Sequence, residues 1–385
     1  MRNHQPVIAT NDTIRATWAE VNLTRLNRNL QAIRKAVAPA KVMIVLKANA
    51  YGHGLAEVAK HLGSLADYIG VAVLEEGILL RELGVSVPIL VLGGIWGDQV
   101  PHYLLHGLTL TASSVERLEQ IDSVAGRMGV KARVHLKIDT GMGRIGVHYY
   151  SAQALQETAL KCANIEVEGI FSHFANADSS DLSHARLQLE RFNEVLHFYE
   201  RHSLPMPTRH MANSPAILQL PESNLDMVRP GILFYGVYPG PEVPHTVPVQ
   251  PALAWKSRVV YFKVVQADHP VSYGSTWQAD HPTRIVTVPV GYGDGYFRAM
   301  SNRSQVIIRG RKYPQVGRIC MDQMMINIED DSAFNGDEVT LIGESGEQTI
   351  TAQDLADWAG TIPYEILTNI NTRVPRVYLT EENIK

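Results

Sequence analysis

The alternation of short apolar segments with amphipathic segments over the first 240 residues constrains the fold more than any other feature of the chain. Helical patterns such as LTRLNRNLQAIRKAV and HARLQLERFNEVLHFYERH separate apolar segments that are rich in β-branched residues. Eight such segments predict strands, at residues 41–48, 68–73, 88–94, 108–113, 133–140, 167–174, 208–213 and 228–236. Eight strands that alternate with helices over this length predict a (β/α)8 barrel. An open doubly wound sheet is the competing fold, but it usually has fewer strands and a phosphate loop after the first of them.

The pattern changes at residues 239–251, PGPEVPHTVPVQP, which contain five prolines and one glycine and predict a linker. Beyond it, segments such as LAWKSRVVYFKVV, TRIVTVPVGYG and DEVTLIG predict strands, and one helical segment, TAQDLADWAGTIPYEILTNI, interrupts them. We therefore predict a chain of the α/β class, with an N-terminal (β/α)8 TIM-like barrel in residues 1–240 and a mainly β C-terminal domain in residues 241–385.

The composition excludes several classes of protein. With 385 residues, 45% hydrophobic and 19% charged residues and a net charge of −4, the chain has neither the basic surface of a nucleic-acid binder nor a polybasic membrane patch. No segment has the length of a transmembrane helix, and MRNHQPVIATNDTIR lacks the apolar core of a signal peptide. We expect a cytoplasmic protein without nucleic-acid or membrane partners. No HExxH motif or Cys/His cluster predicts a catalytic metal.

Several reactive side chains lie where the predicted strands end, which is where barrels of this kind carry their active sites. Lys47 closes the first strand in VLKANAYGHG, and a charged lysine buried there without a partner would be costly. The other residues of this kind are Lys137, His173, Asn213 with Ser214, and Arg229 at the start of the eighth segment. Their convergence favours a chemical role for Lys47 over a lysine that extends into solvent.

The loops after the seventh and eighth predicted strands, ANSPAIL and RPGILFYG, lie where such barrels commonly bind phosphate. Ser214 followed by Pro215 predicts a helix N-cap whose hydroxyl and free N–H groups face an anion. Gly231 would let the backbone approach a phosphate closely. A reactive lysine and a phosphate site together predict a phosphorylated aldehyde as cofactor, namely pyridoxal 5'-phosphate.

Two glycine-rich motifs suggest other ligands. GMGRIG at residues 141–146 matches the G-x-G-x-x-G dinucleotide pattern, but no helix opens immediately after it. GYGDGY at residues 291–296 resembles a phosphate loop, but it lies in the predicted β domain, where a glycine-rich hairpin is the better prediction. We therefore assign neither motif to nucleotide binding.

The assembled motifs resemble the alanine racemase family over nearly the whole chain. The matching segments are VLKANAYGHG, HLKIDTGMGRIG, FSHFANAD, ANSPA, VRPGILFYG, VSYGSTW, VPVGYGDGY, GRICMDQMM and NTRVPRVY. The family's fold, a barrel that holds pyridoxal phosphate followed by a β domain, agrees with the fold predicted above. The resemblance implies racemisation of alanine, a homodimer with shared active sites, and a supply of D-alanine for peptidoglycan.

The resemblance also implies roles for individual residues. Lys47 would carry the cofactor and act as one catalytic base, and the partner subunit's Tyr273 would act as the other. The implied cofactor-binding residues, besides Lys47, are Tyr51, Arg144, His173, Asn213, Ser214, Arg229, Gly231, Ile232 and Tyr364. The implied substrate-binding residues are Arg144, Met321 and Asp322, the last two from the partner chain, and Tyr292, Arg298 and Arg318 would line the entrance. Lys137 is often carbamylated in this family, which would give Arg144 an anionic partner.

The implied chemistry is consistent, because racemisation needs bases on both faces of the α-carbon. Arg229 opposite the ring nitrogen would leave that nitrogen unprotonated and limit side reactions. Three alternatives stay open. The first is a racemase of serine or another small amino acid, because a methylene or hydroxyl group on the substrate changes its binding free energy by only ~1–3 kcal/mol. A decarboxylase on the same barrel is less consistent with Arg229, and a non-catalytic carrier of the cofactor would not need the second domain.

Overall fold

The computed structural model describes residues 14–380, and this part of the chain divides into two compact units. The first, called the barrel unit below, comprises Leu26–Ala50 and Gly54–Gln250. The second, called the C-terminal unit, comprises the described residues 14–25, 51–53 and 251–380. The boundary between residues 240 and 241 stays a prediction. The division by compactness falls between Gln250 and Pro251 and assigns an early strand, Trp18–Asn22, to the C-terminal unit.

The barrel unit contains a ring of parallel strands. They are Lys41–Val45, Tyr68–Val71, Ile89–Val91, Leu110–Ala112, Ala132–Asp139, Ile165–Phe171, Thr208–His210 and Met227–Val228, with a short strand Val147–His148 beside the fifth. Each strand except the third pairs with the next, and the eighth pairs with the first through Val228 and Val42. A bridge between Leu90 and Thr109 joins the third strand to the fourth and closes the ring. The predicted (β/α)8 barrel is therefore confirmed.

The helices of the barrel unit follow the predicted alternation. They are Leu23–Val37, Leu55–Leu62, Leu74–Glu82, Val100–Leu105, Val115–Met128, Ala152–Lys161, Ser183–Arg201 and Ser214–Gln219. In the first of them Leu26, Leu30 and Ile33 recur at helical spacing and are buried. Met43, Leu90, Phe171 and Met227, from four of the barrel strands, form one buried apolar cluster. Within the described residues, none of the helices combines the length and the apolar character needed to span a membrane.

Seven of the eight predicted strands are longer than the strands observed, and two of these differences bear on the site. The first ends at Val45 rather than at residue 48, and the eighth consists of Met227–Val228 alone. Residues 229–236 form turns instead, in which Phe234 N–H donates to the Gly231 carbonyl and Tyr235 N–H to the Ile232 carbonyl. Pro230 has no N–H with which to continue a ladder. Lys47 and Arg229 therefore lie in the loops just beyond strands, where the barrel carries its chemistry.

The C-terminal unit is mainly β, as predicted. Its strands are Trp18–Asn22, Leu253–Arg258, Tyr261–Val265, Pro270–Val271, Trp277–Gln278, Thr283–Val288, Gln305–Ile308, Arg311–Val316, Met324–Glu329, Glu338–Ser345, Gln348–Ile350 and Arg376–Leu379, and its helices are Ala352–Ala359 and Pro363–Asn369. Most strands pair antiparallel in one sheet, and Arg376–Leu379 pairs parallel with Trp18–Asn22. At one edge, the strand Tyr261–Val265 exposes Tyr261, Phe262 and Val264.

Candidate active site

Lys47 begins a left-handed turn that follows the first barrel strand. Ala48, Asn49 and Ala50 have φ of 52°, 56° and 53°, and Tyr51 has φ of 50°. Left-handed backbone costs about 1–2 kcal/mol for each residue with a side chain, so contacts with the turn must offset this strain. The Asn49 side-chain oxygen accepts the Leu55 N–H at 2.8 Å, and the Ala50 N–H donates to the Leu46 carbonyl at 2.9 Å. The turn holds the lysine at one defined point.

The amine of Lys47 is half-buried among other cations. Burial, followed by the charge of Arg144, lowers its pKa below the usual value; Glu76 raises it, and Arg229 lowers it further. Their combined effect gives Lys47 more uncharged amine at neutral pH than an exposed lysine has. An uncharged amine is the form that attacks a carbonyl group.

Arg229 lies buried immediately after the eighth strand, with its guanidinium fixed by several contacts. One terminal nitrogen contacts Nδ1 of His210 at 2.8 Å. The other donates to the carbonyls of Ser172 at 2.7 Å and Met211 at 3.1 Å, and it contacts Nδ1 of His173 at 3.2 Å. Burial, followed by Arg144, lowers the pKa of Arg229 to about 9, which still leaves it a cation at neutral pH. Its orientation and charge are therefore both fixed.

The histidines around Arg229 are neutral, and the arginine determines their tautomers. A guanidinium can only donate, so Nδ1 of His210 accepts and its Nε2 carries the hydrogen. That Nε2 contacts Nδ1 of His135 at 2.7 Å, so His135 also carries its hydrogen on Nε2. Burial, then Arg229, lowers the pKa of His210 well below its usual value and that of His135 to about 3. The pKa of His173 is also well below normal, for the same two leading reasons.

A group of hydrogen-bond donors suited to an anion lies after the seventh and eighth strands. Asn213, not Ser214, caps the helix Ser214–Gln219: its side-chain oxygen accepts the Ala216 N–H at 3.2 Å. The predicted cap position was therefore wrong by one residue. The Ser214 hydroxyl accepts N–H groups from Gly231 at 2.8 Å and Leu233 at 3.2 Å, which leaves its own hydrogen to donate.

The backbone supplies further donors to this group. The N–H of Gly231 is used by Ser214, so Gly231 shapes the loop rather than donating to a ligand. In the described part of the chain, no acceptor takes the N–H of Ser214 or of Ile232. Ser214 is buried, and a buried donor without an acceptor needs a partner. These residues fit a phosphate group.

Lys137 lies inside the fifth strand rather than at its end. Its ammonium nitrogen donates to the Ile138 carbonyl at 3.2 Å and lies 4.9 Å from the centre of the Phe171 ring. Burial, followed by Arg229 and Arg144, holds the pKa of Lys137 well below its usual value, although Asp139 raises it. A buried amine in this setting is uncharged at a lower pH than an exposed one.

The GMGRIG motif is a loop filled by a side chain of the protein itself. The Asp139 carboxylate accepts the N–H groups of Gly141, Met142 and Gly143 at 2.9–3.1 Å. The concavity in which a phosphate would bind is thus already occupied by a carboxylate, consistent with excluding a dinucleotide. The same contacts fix the loop that carries Arg144.

The other predicted residues lie in the C-terminal unit, mostly at its surface. Tyr273 is in a short exposed turn, where the preceding Ser272 has φ of 69° and donates its hydroxyl to the Arg318 carbonyl at 2.6 Å. The rings of Tyr51 and Tyr364 lie 6.1 Å apart. Met321, Asp322, Tyr292 and Arg298 are exposed, and Arg318 is half-buried.

The C-terminal unit also contains an ion-pair network that the sequence analysis missed. Arg373 contacts Asp322 at 2.6 Å and the buried Asp294 of GYGDGY at 2.8 Å. The N–H groups of Tyr292 and Gly293 donate to the carbonyls of Cys320 and Met321 at 3.1 and 2.9 Å. The glycine-rich motif is thus a support for the loop that carries Met321 and Asp322.

The structure therefore brings together one group of predicted residues within the barrel unit: Lys47, Lys137, Arg144, His173 and Arg229. Sequence reasoning missed Glu76, His135, Asp139 and His210. The period of two along a strand was a usable signal, because it places His135, Lys137 and Asp139 on one face of the fifth strand. Among the described residues there is no group of His, Cys, Asp and Glu side chains that could hold a metal ion.

Known proteins share this architecture and sequence. Residues 21–239 match the alanine racemase N-terminal domain, and residues 252–378 match the alanine racemase C-terminal domain. The alanine racemase of Carboxydothermus hydrogenoformans is 47% identical over 369 residues, which cover 95% of this chain and 100% of that protein. The solved alanine racemase of Clostridium difficile 630 has a TM-score of 0.91 at 38% identity, covering 97% of this chain and 98% of that chain. The alanine racemase of Bartonella henselae, solved with covalently bound pyridoxal phosphate, has a TM-score of 0.86 at 29% identity and covers 94% of this chain and 99% of its own.

Proposed function

The chain belongs to the alanine racemase family, and we propose that it interconverts L-alanine and D-alanine with pyridoxal 5'-phosphate as its cofactor. The observation that carries the proposal is the position of Lys47. Its amine lies at the C-terminal end of the barrel, on a constrained turn, close enough to Arg144 and Arg229 for their charges to lower its pKa. A lysine activated in this way suits covalent attachment of an aldehyde cofactor.

Bound pyridoxal phosphate supplies an electron sink that makes the α-proton of an amino acid acidic. The residues of the barrel unit fit this group. Ser214 and Ile232 offer free donors to its phosphate. Arg229, a fixed cation, would face the ring nitrogen and leave it unprotonated, because a guanidinium does not readily release its proton. A weaker electron sink favours return of the proton to the α-carbon over transamination.

Two bases would move the α-proton. The Lys47 amine would take it from, or return it to, one face of the α-carbon, and the phenolic oxygen of the partner subunit's Tyr273 would act on the other face. Support for Lys47 comes from its lowered pKa, which leaves more of the amine unprotonated. Support for Tyr273 comes from its exposed turn, which offers the phenol to another surface.

We propose a two-fold homodimer in which each site combines the barrel unit of one chain with the C-terminal unit of the other. A two-fold interface uses the same patch on both chains, so both sites would be completed together. The exposed apolar side chains of Tyr261, Phe262, Val264 and Met321, all in the unit that carries Tyr273, support such a buried contact.

Lys137 is proposed to carry a carbamate. Its uncharged amine would attack carbon dioxide, forming a nitrogen–carbon bond and releasing one proton, and the product is an anion. The charges of Arg144 and Arg229, which disfavour an ammonium at this position, would stabilise that anion. Arg144 would then be held between the modified Lys137 and the substrate.

The remaining roles complete the proposal. Ser214, Gly231 and Ile232 would surround the phosphate, with Asn213 and His173 supporting the loops of the barrel unit, and Tyr51 and Tyr364 would keep the cofactor-binding roles that the family resemblance implies. The partner's Met321 and the partner's Asp322 would contact the substrate, and Tyr292, Arg298 and Arg318 would line the entrance. The D-alanine produced would supply peptidoglycan synthesis.

Exchange of the α-proton of alanine in heavy water tests the proposal. We expect the purified protein with pyridoxal phosphate to exchange that proton and to convert L-alanine to a racemic mixture, measured by NMR and by circular dichroism. Serine, assayed in parallel, should react more slowly; a faster reaction would identify a racemase of serine instead. A protein that binds the cofactor but exchanges no α-proton of any small amino acid would be a carrier.

A further inference from the structure

The carboxylate of Glu76 joins the ends of two neighbouring barrel strands. One of its oxygens accepts the N–H of Ala48, the residue directly after Lys47, at 2.7 Å. The other accepts the N–H of Ala72 at 2.8 Å and contacts the N–H of Val73 at 3.4 Å. Ala48 follows the first strand and Ala72 follows the second. A single side chain therefore fixes the Lys47 turn to the loop beside it.

This contact lies where the backbone needs support. Ala48 is the first of four consecutive residues with positive φ, and alanine has no intrinsic preference for that conformation. The other contacts of the turn, made by Asn49 and Ala50, lie further along the chain. Glu76 is the contact next to the lysine itself.

Glu76 is also the acidic residue among the charged groups around the Lys47 amine. The charged groups that influence the Lys47 amine are Arg144 on the GMGRIG loop, Arg229 after the eighth strand, and Glu76 on the helix after the second strand. His173, after the sixth strand, is neutral, and Lys137 lies on the fifth strand. Of the described groups that shift the Lys47 pKa, Glu76 acts in the opposite direction from both arginines.

We infer that Glu76 is a positioning residue for Lys47: its carboxylate holds the left-handed turn that presents the amine, and its charge offsets the two arginines. The inference rests on the proposed function, since it assigns Lys47 the cofactor. Glu76 acts through Lys47 and is not itself expected to contact the cofactor or the substrate.

The experiment measures the amine directly, in the full chain freed of cofactor. An amine-reactive acylating reagent is applied over a range of pH, and mass spectrometry follows modification of the Lys47 peptide, with the exposed Lys312 as an internal reference. Glu76→Gln keeps an oxygen acceptor but removes the charge. We expect Lys47 modification in this variant to extend to lower pH and to be several-fold faster at neutral pH, with Lys312 unchanged.

The matched control is Glu75→Gln, which removes the same charge from the exposed neighbour on the same helix and should leave the Lys47 profile unchanged. Glu76→Asp keeps the charge but shortens the reach to Ala48. It should keep a profile close to wild type while slowing capture of pyridoxal phosphate by the cofactor-free protein several-fold.

If Glu76→Gln and Glu75→Gln give the same Lys47 profile as wild type, the inference is wrong. If Glu76→Gln does not fold, Glu76→Asp decides, because unchanged capture of the cofactor overturns the positioning role.

These results are separable from the proposed function. Proton exchange of alanine by the wild-type protein tests the racemase, whereas acylation of Lys47 needs neither cofactor nor substrate. A shifted profile in a protein that does not exchange the α-proton would support Glu76 and overturn the racemase proposal.

Discussion

The two units present their predicted site residues in opposite ways. In the barrel unit, Lys137 and Arg229 are 3% and 4% exposed, and the charge of Arg229 lowers the pKa of Lys137. In the C-terminal unit, Tyr273 and Met321 are 70% and 53% exposed. The first set is fixed by its own chain. The second set lies on a surface and, on the dimer proposal, is completed by another chain.

The difference follows from the cost of burying charge. A buried guanidinium needs acceptors for its donors, and Arg229 finds them in Ser172, Met211, His173 and His210. An exposed phenol has no such requirement, because water satisfies it. Substitutions in the barrel half of the proposed site should therefore lower the stability of the fold, whereas substitutions in the exposed half should mainly lower activity.

The largest expected effect is on the barrel side. Lys47→Ala should lower racemase activity by at least about 10⁴-fold, because it removes both the cofactor's attachment point and one base. It should also abolish covalent retention of the cofactor, measured by borohydride reduction followed by mass spectrometry of the Lys47 peptide. Lys41→Ala, at the exposed start of the same strand, is the control and should retain activity. A Lys47→Ala protein that still holds reducible cofactor at full occupancy would show that another residue is the anchor.

A mixing experiment tests whether the exposed half acts in the other chain. Lys47→Ala and Tyr273→Phe should each be nearly inactive as pure dimers. After dissociation and random reassociation, about half of the dimers are hybrids, each with one intact site and one doubly altered site. Activity should return to roughly a quarter of the wild-type level per chain, measured after subunit exchange is verified with a mass-tagged chain. No recovery would mean that both residues act within one chain, and the exposure of Tyr273 would then not indicate a site shared between chains.

The charge of Arg229 should determine which products form more than whether the reaction occurs at all. Arg229→Glu places a carboxylate opposite the expected position of the ring nitrogen, so that nitrogen should gain a proton. We expect racemisation to fall by about 10–100-fold while pyruvate formed by transamination rises relative to it, because a stronger electron sink lengthens the life of the carbanion. Arg229→Lys, which keeps the cation, should not raise the pyruvate ratio. The ratio of pyruvate to racemised alanine is the measurement, and an equal ratio in both variants would contradict the electronic role.

The sequence predicted the barrel well because strand–helix alternation is a local property. The strand segments end in loops that carry Lys47 and Arg229, and that position was predictable from the barrel alone. The left-handed turn was not, because Ala48 and Ala50 disfavour positive φ and the turn depends on contacts made by Asn49, Ala50 and Glu76. A propensity cannot indicate a conformation that distant residues impose.

The remaining differences have similar physical reasons. Ser214 was predicted as the cap because proline follows it, but its hydroxyl accepts the N–H groups of Gly231 and Leu233, and Asn213, one residue earlier, caps the helix instead. His135 and His210 appear in the sequence as isolated histidines within strands. Their importance follows only from the donor-only guanidinium of Arg229, which no local pattern reveals. The roles of Tyr273, Met321 and Asp322 came from resemblance alone, and the geometry of one chain leaves them as predictions.

The fraction of Lys137 that carries a carbamate should increase as the pH rises. Because its pKa lies well below that of an exposed lysine, its amine is uncharged at a lower pH, and only the uncharged amine reacts with carbon dioxide. Bicarbonate added to protein freed of carbon dioxide should therefore raise activity by about 2–10-fold near neutral pH. Intact mass measured without acid should increase by one carbon dioxide. Lys137→Met should lose the bicarbonate response, whereas Lys312→Met, an exposed control, should retain it. Full activity with an unmodified Lys137 would contradict the carbamate.

The smallest expected effect belongs to the ion-pair network of the C-terminal unit. Arg373 links the exposed Asp322 to the buried Asp294, and the GYGDGY turn holds the carbonyls of Cys320 and Met321. The exposed pair with Asp322 contributes only about 0.2–1 kcal/mol, and the buried Asp294 keeps its ion pair with Arg15, so Arg373→Gln should change transition-state binding by roughly 1.4–5-fold. Because Arg373 would act on substrate through the loop that carries Met321 and Asp322, the change should appear in KM for alanine, with kcat nearly unchanged.

The control for Arg373 is Arg309→Gln, which breaks a comparable exposed pair with Asp337 at 3.0 Å in the same unit. Its KM should equal that of wild type. Combining Arg373→Gln with Asp322→Asn should cost less than the sum of the two single changes, because both remove the contact between Arg373 and Asp322. If the two effects instead add fully, Arg373 does not act through Asp322. An unchanged KM in Arg373→Gln would mean that the loop keeps its position through the Tyr292 and Gly293 backbone contacts alone. The exposed half of the proposed site would then be as rigid as the buried half, and the difference between the units would be one of exposure only.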